Sequence, residues 1–173
     1  INKYVGFLRN INDFELIDGV ADAIKKINVS GYLAIVVTNQ PVIARGEVTF
    51  QELEEIHNKM ETELGLQGAY IDAIYYCPHH PHKGYEGEVP ELKIECDCRK
   101  PKPGMLLKAA DDYNIDLSQS YMIGDGENDI KAGLAAGCKA VLVNGAGTDA
   151  KNEDFGQSNT MSSMLEFTEK YLK

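Results

Sequence analysis

Strand and helix signals alternate along the whole chain, and this alternation limits the possible fold more than any other sequence feature. Apolar residues recur at helical spacing over residues 20–27, and Gly31 then ends the helix. Residues 32–38 (YLAIVVT) predict a strand buried on both faces, as found inside parallel sheets. The alternation predicts an α/β fold with a Rossmann-like, doubly wound, mainly parallel sheet and helices on both faces.

The later elements continue this pattern. Thr49 followed by Glu52 predicts a capping box that opens a helix. The apolar face of that helix comprises Leu53, Ile56, Met60 and Leu64. Further strands are predicted at 71–76, 121–123 and 140–143, and further helices at 103–113, 128–136 and 162–172. Pro103 is placed in the first turn of its helix, and the mass of 19.1 kDa predicts one domain over residues 1–173.

Composition excludes several classes of partner. The net charge of −10 argues against nucleic acid or an anionic membrane as the main partner, because both would be repelled. The longest strictly apolar run, residues 33–37, is too short to span a bilayer. Four cysteines without a secretory context predict a reducing, cytoplasmic location, and a small anionic substrate remains compatible with the charge.

A candidate zinc site consists of Cys77, His79, Cys96 and Cys98. Three thiolates and one imidazole in two close pairs suit a closed tetrahedral zinc site, which leaves no position for a reacting water. We therefore predict a structural zinc that holds the polar loop 77–98 in shape. The alternative is a chance cluster of free thiols.

No catalytic or metal-binding role is predicted for the remaining histidines, the fourth cysteine or the glycine-rich residues 145–147. His80 and His82 are predicted to lie on the surface of the loop, and His57 on the exterior of its helix. Cys138 is predicted to be a small buried hydrophobe, and residues 145–147 a simple turn.

Polar residues at one predicted strand end indicate a ligand site, because ligands bind beyond the carboxyl ends of such strands. Thr38, Asn39 and Gln40 could bind phosphoryl oxygens through a hydroxyl and backbone N–H groups, although such a sequence is also typical of a plain turn. Arg45, followed by Gly46, adds a cation that could equally be a solvated surface charge.

Two later motifs favour phosphate and magnesium. Arg99 and Lys100 precede a predicted helix, whose N-terminus attracts anions, although a solvated basic loop would show the same residues. Asp125 and Asp129 follow a predicted strand and supply the hard oxygen ligands that magnesium prefers, with Asp125 binding directly and Asp129 in support. In the competing interpretation, Asn128 and Asp129 cap the helix.

Taken in order, these motifs resemble those of the haloacid dehalogenase-like phosphohydrolases. The resemblance covers residues 1–143 and is closest to the D-glycero-D-manno-heptose 1,7-bisphosphate 7-phosphatases, with the histidinol-phosphate phosphatases as a related group. The stretches that carry it are residues 14–20 (FELIDGV), 38–40 (TNQ), 43–46 (IARG), 74–81 (IYYCPHHP), 96–101 (CDCRKP), 103–107 (PGMLL) and 121–125 (YMIGD).

The resemblance implies a magnesium-dependent phosphatase that works through an aspartyl-phosphate intermediate. It implies a minimal cap, a small phosphorylated sugar as substrate, a monomer, and a place in bacterial cell-surface heptose synthesis. Removal of the 7-phosphate of the heptose bisphosphate is the expected reaction. A histidinol-phosphate phosphatase and a zinc-stabilised binding module without catalysis are the alternatives.

Carried over by motif, the resemblance also implies roles for individual residues. Thr38 and Asn39 would hold phosphoryl oxygens, with Gln40 and Arg45 beside them at the substrate. Lys100 would neutralise charge on nucleophile and phosphate, and Arg99 would contact the substrate. Asp125 would bind magnesium directly, and Asp129 would contact the groups around magnesium without binding it. The family's zinc ligands are matched by Cys77, His79, Cys96 and Cys98.

The chain departs from the family pattern in three places. Pro41-Val42 replaces Ser-Gly, and Gly126 replaces a lysine or arginine. The family's Asp-x-Asp-Gly-Thr motif ends the first, central strand immediately before the residues that Ile1 and Asn2 resemble, so neither catalytic aspartate is assigned to any residue here. Without that strand a gap of about 10 Å would separate the strands at 32–38 and 121–123. We therefore expect a segment preceding Ile1 in the natural protein.

Overall fold

A computed structural model describes residues 1–143 and 159–172, so the predicted turn at 145–147 lies outside the described residues. The chain forms two compact units, Ile1–Cys96 and Asp97–Lys173. Strand pairing within both sheets is parallel, and helices follow most strands, which confirms the α/β class. The prediction of one domain over residues 1–173 stays a prediction. None of the described helices is both long and apolar enough to cross a membrane.

The first unit contains a two-stranded parallel sheet and three α-helices. Its elements in chain order are α1 (Val20–Val29), β1 (Ile35–Asn39), α2 (Pro41–Ala44), α3 (Phe50–Leu66) and β2 (Ala73–Cys77). In the register of the sheet, Ile35 lies opposite Ala73 and Asn39 opposite Cys77. The polar ends of both strands therefore meet at the same edge.

Helix α3 follows the sequence prediction closely. The Thr49 hydroxyl accepts from the Glu52 N–H at 3.1 Å, while the Glu52 carboxylate accepts from the Thr49 N–H at 2.7 Å. This reciprocal pair confirms the capping box. The buried residues of the helix are Leu53, Ile56, Met60 and Leu64, the same four that were predicted.

Strand β1 is shorter and less buried than predicted. It begins at Ile35 rather than Tyr32, and all five of its residues are half-buried. Tyr32 and Leu33, predicted to be in the strand, are 39% and 44% exposed. The physical reason is that β1 pairs with only β2 among the described residues, so the strand is not enclosed by sheet on both edges.

The described part of the second unit contains a three-stranded parallel sheet in the order β3-β4-β5. Its elements are α4 (Gly104–Tyr113), β3 (Tyr121–Gly124), α5 (Glu127–Ala136), β4 (Lys139–Val143), β5 (Asn159–Met161) and α6 (Met164–Tyr171). Val141, Met161 and Phe167 form one buried cluster between strand and helix. Pro103, expected in the first turn of α4, is instead its N-cap.

The two strands expected to flank the central strand of the family fold lie in different sheets. Strand β1 belongs to the sheet of the first unit and β3 to that of the second. Direct pairing of β1 with β3 would have contradicted the expectation of a missing strand. No such pairing occurs among the residues that the structure describes.

Candidate active site and metal cluster

The four predicted zinc ligands come together. The Sγ atoms of Cys77, Cys96 and Cys98 and a ring nitrogen of His79 all lie within 4.8 Å of one another. Cys77 ends β2 and is fully buried, whereas the other three donors lie in the loop that follows. These three cysteines do not form disulfides in the part of the chain that the structure describes.

Two of the separations between the donor atoms agree with binding to one tetrahedral ion. Zn–S bonds of about 2.3 Å and Zn–N bonds of about 2.05 Å at tetrahedral angles place sulfurs about 3.8 Å apart, and sulfur and nitrogen about 3.6 Å apart. The Sγ atoms of Cys77 and Cys96 are 3.5 Å apart, and Cys77 Sγ is 3.7 Å from His79 Nδ1. The donor set therefore suits zinc, which His79 would bind through Nδ1, the ring nitrogen near Cys77.

The loop after β2 packs back on the turn that follows α2. The Val89 N–H donates to the Ala44 carbonyl at 3.0 Å, and Leu92 packs on the buried cluster that includes Val42 and Ile43. Gly46 approaches so closely that a Cβ built on it would lie 1.8 Å from the Gly87 carbonyl oxygen. The zinc loop is thus fixed against the segment that carries Arg45.

Thr38 lies at the carboxyl edge of β1 with its hydroxyl oriented by a neighbour. The Gln40 side-chain amide donates to Thr38 Oγ1 at 3.3 Å, and the Gln40 N–H donates to the Cys77 carbonyl at 2.8 Å. Because the hydroxyl oxygen accepts from Gln40, its own proton is left to donate to an anion. The sequence indicated Thr38, but only the structure gives Gln40 this orienting role.

The prediction of a surface role for His80 is wrong. His80 is 5% exposed, and its Nε2 lies 3.2 Å from Arg45 Nη2. Its Nδ1 lies 3.2 Å from the His82 carbonyl oxygen. Arg45 itself is half-buried between the rings of Phe7 and Tyr85. The loop folds back on Arg45, and a contact between residues 35 positions apart leaves no signal in local sequence.

In the second unit, Lys100 and Asp129 form a buried ion pair. Lys100 Nζ lies 2.6 Å from Asp129 Oδ1, and the two side chains are 10% and 13% exposed. Asp129 Oδ2 also accepts from the Gly126 N–H at 3.1 Å, ahead of α5. Asp129 therefore caps the helix, as the competing interpretation held, and also binds Lys100.

Gly124 makes this approach of Asp129 possible. A Cβ built on Gly124 would lie 2.3 Å from Asp129 Cβ, so no larger residue fits at the end of β3. Asp125 follows Gly124 and is exposed, and its carboxylate is therefore open to solvent. Because both oxygens of Asp129 are already bonded, Asp125 is the carboxylate of this pair with the freedom to bind a cation.

The loop that carries Arg99 and Lys100 is held tightly at the start of α4. The Gly104 N–H donates to the Asp97 carbonyl at 3.0 Å, and a Cβ on Gly104 would lie 2.3 Å from that oxygen. The Lys102 N–H donates to the Arg99 carbonyl at 2.9 Å. The backbone of this basic loop is thus fixed by its own hydrogen bonds.

His57 and Cys138, for which the sequence predicts no catalytic role, are both at least partly removed from solvent. His57, predicted on a helix exterior, is half-buried with its ring 5.7 Å from that of Tyr76, and burial lowers the pKa of its imidazole. Cys138 is buried as predicted, and burial raises the pKa of its thiol. It lines a cavity of about 480 Å³ with Tyr121 and Tyr171, at the amino ends of β3 and β4 rather than at the edge with Asp125.

The structure brings the candidate residues together in two groups, one in each unit. Thr38 and Asn39 end β1, and Gln40 and Arg45 follow it in the first unit. The second unit carries the other four residues: Arg99, Lys100, Asp125 and Asp129. Their roles toward substrate and magnesium stay predictions. Sequence reasoning missed α2 and the tight approach at Gly124, which no local pattern signals.

Comparison with known proteins gives consistent matches. Residues 97–162 match the family described as HAD-hydrolase-like. Over 156 residues the chain is 42% identical to a D-glycero-beta-D-manno-heptose-1,7-bisphosphate 7-phosphatase of Salmonella typhi, covering 89% of this chain and 81% of the relative. A protein of the same name from Escherichia coli K12 is 44% identical over 147 residues, covering 84% and 75%.

Solved structures show the same likeness. A D,D-heptose 1,7-bisphosphate phosphatase from B. bronchiseptica, complexed with magnesium and phosphate, superposes with a TM-score of 0.85 at 30% identity, covering 99% of this chain and 92% of that one. A HAD-like phosphatase from Mesorhizobium loti gives a TM-score of 0.79 at 30% identity, covering 95% and 77%.

Proposed function

Because the chain belongs to the haloacid dehalogenase-like phosphatases, we propose that it removes the 7-phosphate of D-glycero-D-manno-heptose 1,7-bisphosphate. Relatives at 42% and 44% identity carry the name of that activity. A small phosphorylated sugar also fits the sequence argument, since a chain of net charge −10 can hold an anion only where cations are placed locally. We place the reaction in the cytoplasm, where free thiols such as those of the zinc cluster persist.

The Lys100–Asp129 pair is the observation that most supports phosphate chemistry. A buried ammonium is costly unless it is paired, and Asp129 holds Lys100 at 2.6 Å at the edge where β3 ends. We assign to Lys100 the neutralisation of charge on phosphate, and to Thr38 the donation of a hydrogen bond to a phosphoryl oxygen. Arg99, Asn39 and Arg45 complete the proposed contacts.

Magnesium and zinc are the metals that the donor sets suit. Magnesium is commonly held by one or two carboxylates together with substrate phosphate, and Asp125 is exposed for that purpose. Magnesium would supply positive charge to the phosphate. Asp129, bonded to Lys100 and to the N–H of Gly126, supports this site by orienting Lys100. The Cys77 cluster would hold a structural zinc.

The attacking carboxylate is assigned to the Asp-x-Asp-Gly-Thr motif of the family, which no residue of this sequence matches. In that reaction an oxygen of the first aspartate would form a bond to phosphorus as the bond from phosphorus to the ester oxygen breaks, and the second aspartate of the motif would give that oxygen its proton. Water would then hydrolyse the aspartyl phosphate, which releases inorganic phosphate and restores the first aspartate. The intact mass of the protein purified from its natural gene tests this assignment. A mass above 19.1 kDa by about 1–2 kDa, enough for one strand and its loop, supports it, and a mass of 19.1 kDa contradicts it.

A substrate panel tests the activity itself. Protein from the complete gene is assayed with the heptose bisphosphate, histidinol phosphate and unrelated phosphomonoesters. Preference for the heptose bisphosphate is expected. Preference for histidinol phosphate would replace the proposal, and absence of hydrolysis throughout would favour a zinc-stabilised binding module.

A lysine variant tests the mechanism. Lys100→Met keeps the aliphatic stem but removes the charge, so kcat should fall at least about 100-fold, as for loss of a group that stabilises charge in the transition state. Lys102→Met is the matched control, since its side chain is 47% exposed and its ion pair with Asp97 is at the surface. Equal activity of both variants would remove Lys100 from the mechanism.

A further inference from the structure

The guanidinium of Arg45 lies over two aromatic rings, those of Phe7 and Tyr85. Its Cζ lies 4.5 Å from the centroid of Phe7 and 4.6 Å from that of Tyr85. Both distances are within the range of cation–π attraction, which strengthens as the cation loses water. Both rings therefore attract the guanidinium of Arg45.

One edge of Arg45 is oriented by His80. Because the guanidinium can only donate, His80 Nε2 must accept from Arg45 Nη2, and the proton of the ring then lies on Nδ1, which faces the His82 carbonyl. His80 is 5% exposed and therefore holds a fixed position. The rings and His80 together determine where Arg45 points.

The positive charge of Arg45 lacks a carboxylate partner. Among residues 1–143 and 159–172 no carboxylate forms an ion pair with it, and its buried Nε atom has no hydrogen-bond acceptor. Nearby acidic groups are engaged elsewhere, Glu47 with Arg9 and Glu88 with Lys93. Charges that are removed from water in proteins are normally paired. A half-buried guanidinium with no carboxylate partner among the described residues, in a chain of net charge −10, therefore points to an anionic ligand.

The two rings are themselves held in place. Arg9 donates to the Phe7 carbonyl at 3.2 Å and bonds Glu47 at 2.5 Å, which ties the N-terminal segment to the residue after Gly46. Glu88 accepts from the Tyr85 N–H at 3.2 Å, and the ammonium of Lys93, with its side chain 1% exposed, lies 4.7 Å from the Tyr85 ring. We call Phe7, Tyr85 and His80 around Arg45 the clamp. Its contacts come from three separate segments of the first unit.

We propose that Phe7, Tyr85 and His80 are positioning residues that aim Arg45 at the phosphate group of the substrate that is not hydrolysed. This inference rests on the proposed function, because it requires a substrate with two phosphates. Arg45 follows α2, which is about 6 Å long at 1.5 Å per residue and begins two residues after β1 ends. Arg45 therefore follows the strand end that carries Thr38, the residue assigned to the reacting phosphate. The zinc loop, which carries Tyr85 and His80, thereby acts in selecting bisphosphates.

Steady-state kinetics on two substrates tests the proposal. Protein from the complete gene is assayed with the heptose 1,7-bisphosphate and with the same heptose carrying only the 7-phosphate. Tyr85→Leu should raise KM for the bisphosphate about tenfold, equivalent to about 1.4 kcal/mol, with kcat changed less than twofold and the monophosphate KM unchanged. Phe7→Leu should act in the same direction and more weakly, since Phe7 is 43% exposed.

Two further variants separate positioning from simple damage. Tyr85→Phe keeps the ring and should restore the KM of the bisphosphate, and Tyr70→Leu, which removes an exposed tyrosine ring elsewhere in the unit, should leave both KM values unchanged. Equal loss with both substrates, or failure of Tyr85→Phe to rescue, would overturn the proposal. So would an unchanged bisphosphate KM in Tyr85→Leu.

Binding of the heptose 1-phosphate product keeps this test separate from that of the proposed function. Calorimetry should show weaker binding of this product to Tyr85→Leu, by at least about fivefold, and unchanged binding to Tyr85→Phe. Equal affinities for the wild type and Tyr85→Leu would overturn the inference. If the wild type binds the 1-phosphate in this way but hydrolyses neither heptose phosphate, the proposed function fails while the role of the clamp stands.

Discussion

Replacement of Gly46 by alanine should release the zinc loop from the turn after α2. A Cβ on Gly46 would lie 1.8 Å from the Gly87 carbonyl oxygen and 2.5 Å from its carbon. The two backbones would have to separate by about 1.2 Å to reach even 3.0 Å, since backbone atoms cannot rotate away. The hydrogen bond from Val89 to Ala44, 3.0 Å in the native structure, lies across that contact.

The expected loss of stability has two components. Gly46 has a φ of +71°, and a residue with a Cβ in this region costs about 1–2 kcal/mol. Overpacking adds about 1–3 kcal/mol, which gives about 2–5 kcal/mol in total. Gly31→Ala is the matched control, because Gly31 has a φ of +81° but a Cβ there would meet nothing within 4 Å. The control should therefore lose only the first component.

Urea unfolding of both variants measures the difference. Gly46→Ala should be less stable than Gly31→Ala by about 1–3 kcal/mol, or by about 2–12 °C in Tm. Hydrogen exchange of the Val89 amide should be faster in Gly46→Ala and unchanged in Gly31→Ala. Equal stabilities, or a Val89 amide that stays protected in Gly46→Ala, would refute the argument that this contact fixes the loop.

Three other perturbations have definite expected outcomes. Chelation should lower Tm by about 5–11 °C if zinc at about 100 times its Kd adds about 2.7 kcal/mol, and an unchanged Tm would count against a structural metal. Asp129→Asn removes the ion-pair partner of buried Lys100 and should lower the free energy of unfolding in urea by about 3–5 kcal/mol. The double variant Asp129→Asn with Lys100→Met should regain part of that loss. Strictly additive losses would contradict the pairing. Hydrogen bonds from the Thr49 N–H and hydroxyl hold the pKa of Glu52 below its usual value, so its stabilising effect is present above about pH 4.5 and lost as pH falls through the lower folded pKa. Glu52→Gln should make unfolding less sensitive to acid between pH 5 and 3, and an unchanged pH profile would show that the capping box does not contribute.

Features that depend on neighbours in the chain could be predicted from the sequence. The capping box at Thr49 and the four buried residues of α3 follow from spacings of three and four residues, which a helix converts directly into contacts. The cluster of Cys77, His79, Cys96 and Cys98 could also be predicted. Each pair of ligands is close in the sequence, so a single folding back of the loop between the pairs brings all four together. The positions of β1 to β4 were right to within a few residues for the same reason, whereas β5 was not predicted.

Features that depend on contacts between distant segments could not be predicted from the sequence. His80 and Arg45 are 35 positions apart, and nothing near either residue shows that one buries the other. The burial of β1 was overestimated, because an apolar run does not reveal how many strands lie beside it.

By itself the sequence determined the α/β class, most of the elements and the four residues of the metal cluster, since period, caps and ligand spacing are local properties. The tertiary structure decided which of these residues act on one another. Asp129 pairs with Lys100 because Gly124 allows the close approach of Asp129, and Arg45 lies against the rings of Phe7 and Tyr85. Burial and pairing of charge depend on which backbones can approach closely, and that is settled only when the chain has folded.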